Sequence, residues 1–238
     1  MLKKTICLLF IYIFGAHLSS LSADVRIKAI SGDVQVRRAI QETWQQARKD
    51  DVLKETDTIL TGAQSHADII LENGKVVQLK SETMLDIIDL RNITDQELFV
   101  YLMSLKVKKI KSTDANKKIR IGNVSVIHGA SKSGTGTTAE EPADSNRSLQ
   151  ERNGADALYT NALYPNAIIK LHKLLVKYSH LDDCGELHYY LAKSFQAIQK
   201  KGQAMDAYRI AIDKNSADRC QSEWYQDALN SLDHLKNE

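Results

Sequence analysis

The residue types best suited to chemistry crowd together at 180–188, where His180, Asp182, Asp183, Cys184 and His188 fall within nine positions. Imidazole, thiolate and carboxylate are ordinary zinc ligands. A spacing of four would put His180, Cys184 and His188 on one face if a single helix carried all three. Elsewhere the chemistry is sparse. No Gly-x-Ser-x-Gly, His-Glu-x-x-His or Ser-x-x-Lys pattern sets a nucleophile beside a base. The acid pairs Asp50-Asp51, Glu140-Glu141 and Asp182-Asp183 have polar neighbours, which give no reason for a raised carboxyl pKa. Gly134-Thr135-Gly136 lacks the lysine, strand and helix of a phosphate cradle. Lys106, Lys108, Lys109, Lys111, Lys117, Lys118 and Arg120 form a basic stretch with Asp114 as its one acid. Anionic lipid, wall polymer or an acidic partner would suit it, but the simpler reading is a solvated hairpin guarding an edge strand.

The composition excludes several classes. In 238 residues, 32 Lys and Arg face 30 Asp and Glu, a net +2. That balance argues against a dedicated nucleic-acid binder. Hydrophobic residues make up 43% and charged residues 26%, the mix of a folded protein, and three Cys are too few for a disulfide-built scaffold.

The elements that would position any site differ along the chain. Residues 1–23 read as an export signal: Lys3 and Lys4, an uncharged run from Ile6 to Phe14, then small residues to Ala23. The run is too short to span a bilayer, and no later stretch is long and apolar enough. An uncleaved N-terminal anchor is the alternative. Residues 24–130 alternate with period two and predict an all-β domain of short strands. The sequence Glu72-Asn73-Gly74-Lys75 predicts a hairpin turn with positive φ at both central residues. Further strands are predicted at 84–90, 97–102, 105–110, 118–121 and 124–127. Residues 131–156, rich in Ser, Gly, Thr and acids, predict a flexible linker. Residues 157–238 turn to helical periodicity, with one clear pair at 186–198 and 203–213.

The helical pair carries a resemblance. His188-x2-Leu191-Ala192-x2-Phe195 and Ala204-x3-Tyr208-x2-Ala211 are similar to the two helices of a tetratricopeptide (TPR) repeat, with His188 in the tryptophan position and Ser216 where proline would end the unit. Ala167-x3-Leu171-x2-Leu174 and Trp224-x3-Ala228-x2-Ser231 resemble a preceding second helix and a following first helix. In that register His188, Leu191, Ala192, Phe195, Ala204, Tyr208 and Ala211 pack the repeat, and His188 is a packing residue rather than a metal ligand. Cys184 and Cys220 would each precede a first helix. A disulfide between them is open in an oxidising compartment. An unrelated helical bundle is the alternative.

The β half carries a second resemblance. Gly32-Asp-Val, Trp44-Gln-Gln-Ala47, Asp57-Thr-Ile-Leu-Thr61-Gly62, Ser65-His-Ala67, Asn73-Gly74 and Thr83-Met-Leu85 follow the order found in FecR-type domains. The resemblance covers 25–90 and departs from the usual pattern at Glu55-Thr56-Asp57 and Asn73-Gly74. It implies an envelope domain of solenoid-like or sandwich-like short strands. The expected protein is a two-domain, non-enzymatic periplasmic adaptor of a Gram-negative-type bacterium, with no catalytic residue, cofactor or metal. Its helices would hold a protein partner, its β domain a cell-wall component, and the linker would let both engage together. A FecR-like regulatory component of anti-sigma type, acting with a membrane partner, is the alternative.

Overall fold

The computed structural model describes residues 25–39, 41, 43–113, 142–182, 184–215, 220 and 222–237. Residues 1–23, expected to be an export signal, the strands predicted at 118–121 and 124–127, and Lys117, Lys118 and Arg120 lie outside the described residues.

Among the described residues seven strands form two antiparallel sheets: β1 (Arg26–Ser31), β2 (Val34–Arg37), β3 (Trp44–Gln46), β4 (Thr58–Thr61), β5 (His66–Ile70), β6 (Val76–Leu79) and β7 (Met84–Asp86). One sheet runs β1-β5-β6 and the other β3-β2-β4-β7. The period-two alternation turns Ile27, Val34, Val36, Ile59, Ala67, Ile69, Val77, Leu79 and Leu85 into one buried cluster. In the β5–β6 turn only Gly74 takes a positive φ, +80°. Asn73 keeps a negative φ and instead accepts the Lys75 N–H on its side chain, at 3.0 Å. After β7 the chain winds into a 3₁₀ turn, Ile87–Leu90, so the strand predicted at 84–90 stops at Asp86.

Among the described residues six α-helices follow: α1 (Asp95–Thr113), α2 (Pro142–Thr160), α3 (Tyr164–Lys177), α4 (Glu186–Ala197), α5 (Lys201–Asn215) and α6 (Tyr225–Asn237). Helix α1 replaces the strands predicted at 97–102 and 105–110, and with them the basic hairpin at Lys106–Lys111. A capping box starts it. The Thr94 N–H donates to Glu97 Oε2 at 2.9 Å, and the Glu97 N–H donates to Thr94 Oγ1 at 3.2 Å. The Thr94 N–H and Arg91 together hold the Glu97 carboxyl at about 2. Leu98, Tyr101, Leu102 and Leu105 then recur at helical spacing. Leu98 is buried, while Phe99, Val100 and Met103 are exposed.

Helix α2 corrects the linker. Residues 131–156 do not form one flexible tether, because from Pro142 onward they are helical and bind the β half. Ala157 and Leu158 of α2 and Ala167 of α3 enter the same buried cluster as the strands. A Cβ at Gly154 would lie 2.3 Å from the Met84 carbonyl oxygen, so the missing side chain is what lets α2 approach β7. Asn153 donates to the Glu82 carbonyl at 2.9 Å. Asn161 gives its amide N–H to the Gln78 carbonyl and accepts the Gln78 N–H, both at 3.0 Å. One side-chain amide thereby completes the open edge of β6 as a neighbouring strand would. Asn166 of α3 spans the Asp89 and Arg91 carbonyls at 2.8 Å each.

A second buried cluster joins α1, α3, α4, α5 and α6 through Leu98, Ile168, Leu171, Leu191, Phe195, Tyr208 and Leu232. His172 of α3 sits there, 6.3 Å from the rings of both Tyr101 and Phe195. Burial, and secondarily His188, push its pKa from 6.5 down to about 4. Between those values the unfolded chain takes a proton that the folded chain refuses. Stability therefore falls as pH is lowered through that window, by about 2 kcal/mol allowing for partial exposure. Urea midpoints at pH 7 and 4.5 measure the loss. His172→Phe should remove this part of it, and an unchanged pH profile in that variant would assign the loss elsewhere.

Candidate functional site

The residues that carry the β-half resemblance are occupied in holding turns. The Ser65 hydroxyl accepts the Asp33 N–H at 2.8 Å and donates to the Ala63 carbonyl at 3.0 Å. Gly32, at φ +78°, leaves the space beside Ser65 that a Cβ would take. Asp57 is buried and accepts from Arg38 Nη1 at 2.8 Å, the Lys54 N–H at 3.0 Å and the Ala39 N–H at 3.2 Å. Burial alone would raise its carboxyl, but these donors hold it below the usual value. Thr61 Oγ1 accepts the Thr83 N–H at 2.9 Å. None of these groups is available to a ligand without losing a turn.

The histidine–cysteine cluster is equally committed. Asp182 is buried, and its carboxylate takes the His188 ring Nδ1, the His188 N–H at 3.2 Å and Lys214 Nζ at 2.7 Å. These partners outweigh burial and lower the Asp182 pKa. Cys184 is bonded to Cys220, with Cα atoms 5.6 Å apart. Among the described residues no group of three or more His, Cys, Asp or Glu could hold a metal. No hydroxyl or thiol among them is hydrogen-bonded to His188. Of the seven residues assigned to repeat packing, Leu191, Ala192, Phe195, Ala204, Tyr208 and Ala211 are buried. His188 is only partly buried, its exposed fraction 16%, and its ring Nδ1 is bonded to Asp182.

Two of the concavities among the described residues have charged walls. The smaller, about 250 Å³, lies between the four-stranded sheet and the helices, with Arg37, Asp86, Arg147, Glu151, Lys170, Lys173 and Lys177 in its wall. Its charges are largely spent on one another. Lys170 Nζ meets Asp89 at 2.7 Å and Asp86 at 3.5 Å, and Glu151 takes Lys177 at 2.9 Å and Arg147 at 3.0 Å. Burial would lower the Lys170 pKa, but Asp89 and Asp86 hold it above the ordinary value.

The larger concavity is an open cleft of about 670 Å³. Helix α4 supplies Glu186, Tyr189, Tyr190 and Lys193, helix α2 supplies Tyr159, and Trp224 and Asp227 stand at the start of α6. The indole of Trp224 stacks on Tyr189, with centroids 5.0 Å apart and an interplanar angle of 20°. Tyr190 meets Tyr189 edge-on at 5.2 Å and Tyr159 at 5.4 Å. Tyr189 donates its hydroxyl to Asp227 Oδ2 at 2.8 Å, and Lys193 Nζ reaches the same oxygen at 3.1 Å while standing 6.0 Å over the Tyr189 ring. Burial, then the Asp227 carboxylate, push the Tyr189 phenol well up. The disulfide fixes the cleft at one end, since Cys184 stands two residues before α4 and Cys220 four before Trp224. Gly185, at φ +81°, caps α4 where a Cβ would come 2.5 Å from the Ala211 carbonyl oxygen.

The sequence marks Trp224 only as the start of a stretch resembling a following first repeat helix, and it does not mark Tyr159, Tyr189 or Tyr190. Their signal is local: Tyr189 and Tyr190 are adjacent, so one helix cannot bury both on its inner face. Among the described residues no helix is long and apolar enough to cross a membrane. No protein-family model, curated protein or solved structure matches the chain.

Proposed function

We propose that this chain is a non-enzymatic binding protein of the bacterial cell envelope, with the cleft between α4 and α6 as its binding surface. The observation that carries the reading is a ring-lined open cleft built on helices whose inward faces are already filled. Four aromatic side chains at such a place offer large, rigid contact area at small entropic cost. The export pattern of residues 1–23 supports the envelope. The FecR-type and TPR-like resemblances support an adaptor, in which the β half is a FecR-like platform and the helices a TPR-like array. The packing of α2 on β7 joins the β region directly to the helical region.

The test is site-specific photocrosslinking in intact cells. A photoreactive residue at Glu223, on the cleft rim, should give a discrete adduct that Trp224→Ala abolishes. The same residue at Lys28, on the exposed face of β1, should give none. Adducts that are indifferent to Trp224, or absent at Glu223, would overturn the reading.

A further inference from the structure

We infer that the cleft takes a cationic peptide segment, one that presents Lys or Arg side chains to the aromatic rings and the carboxylates beside them. The inference rests on the binding role just proposed and adds the chemistry of the partner. It follows from the balance of charge around the rings. Three carboxylates line the cleft, Glu186, Glu223 and Asp227, against the single cation Lys193. Arg152 of the adjoining notch pairs with Glu186, and the notch adds a further acid, Asp156. The cleft is therefore acidic, although the whole chain is close to neutral.

Its acceptor capacity is also open. Asp227 uses only Oδ2 for Tyr189 and Lys193. Glu186 uses only Oε1 for Arg152. Among the described residues Asp227 Oδ1, Glu186 Oε2 and both oxygens of Glu223 accept no hydrogen bond. An ammonium or guanidinium entering here would meet free carboxylate oxygens and the faces of tyrosine or tryptophan rings. That is the pairing that favours cations over neutral groups. Lys193 already shows the chemistry within the chain, bonded to Asp227 and standing over Tyr189. The same charge disfavours anionic wall polymers and acidic peptides, which would bring like charges together. A neutral oligosaccharide could stack on the rings but would leave the carboxylates unpaired.

The test is selection of a random dodecapeptide library on the immobilised full chain, with counter-selection on the Trp224→Ala variant, and titration of chitotetraose in parallel. Peptides that need Trp224 should be enriched in Lys and Arg. Glu223→Lys, an exposed change that keeps the fold, should weaken them about tenfold, and raising the salt should weaken them further. Trp224→Ala should cost about thirtyfold, with circular dichroism showing the helices retained. If Trp224-dependent peptides are neutral or acidic, the cationic partner is wrong and the cleft stands as a binding surface. If chitotetraose binds in a Trp224-dependent way and no peptide does, the partner is a glycan and the inference falls. If no probe depends on Trp224, the inference and the proposed function both fall.

Discussion

Replacing Lys170 with alanine is expected to destabilise the fold by about 3–5 kcal/mol, the cost of leaving a buried charge without its partner. Asp89 and Lys170 are among the few charged residues taken almost wholly out of water, with side-chain exposures of 7% and 6%. They join the 3₁₀ turn after β7 to α3, which is the seam between the β half and the helices. Asn166, one turn earlier on α3, ties the carbonyls of the same turn. The alanine variant leaves Asp89 with Lys173 alone, and that lysine is 55% exposed and 3.2 Å away. Lys173→Ala should therefore cost under about 1 kcal/mol, as exposed pairs do. A Lys170→Met, Asp89→Leu double variant should recover much of the loss, because an apolar pair of similar volume needs no desolvated charge. Urea unfolding measures all three. A loss below about 1 kcal/mol for Lys170→Ala would show that the seam does not depend on this pair.

That seam is also where the sequence was least legible, and the reasons are physical. Residues 131–156 look like a tether because they carry little to bury. Up to residue 156 helix α2 needs little: it meets the sheets through the absence of a side chain at Gly154 and through the Asn153 amide, and its apolar anchors Ala157 and Leu158 come only after that stretch. Hydrophobic periodicity cannot register polar groups that complete a strand edge, nor a glycine that serves close approach. Helix α1 failed for a different reason. Phe99, Val100 and Tyr101 are strand formers by propensity, and their weight hid the capping box Thr94-x-x-Glu97 and the 3–4 spacing of Leu98, Tyr101, Leu102 and Leu105. Where period and turn chemistry agreed, as at the β5–β6 hairpin and the α4–α5 pair, the elements were legible to within a few residues. The cleft fell between the two cases. Its helices were readable, but its character depends on which ring meets which, and that is set by how α6 docks on α4.

The bridge that sets this docking should dominate the stability of the helical half. Cys184 and Cys220 are 36 positions apart. Opening a loop of that length returns chain entropy to the unfolded state worth about 4 kcal/mol. A Cys184→Ser, Cys220→Ser double variant is expected to lose about that much, and reductant should bring the native protein to the same urea midpoint. Reductant should leave the double variant unchanged. The two halves should not suffer equally. The bonds of Asp182 to His188 and Lys214 still hold the start of α4 against α5, and the cluster around Ile27, Ile59 and Leu85 lies away from the bridge. What loosens is the start of α6, and with it the stack of Trp224 on Tyr189. Reduction should therefore shift Trp224 emission toward that of a solvated indole before global unfolding. A Trp44→Phe background isolates that signal, since these are the chain's two tryptophans. Cleft ligands should weaken in the same step, because a ring platform that must be ordered on binding costs affinity that a pre-ordered one does not. If the emission and the urea midpoint both ignore reductant, the bridge constrains neither the fold nor the cleft, and the rings are held by packing alone.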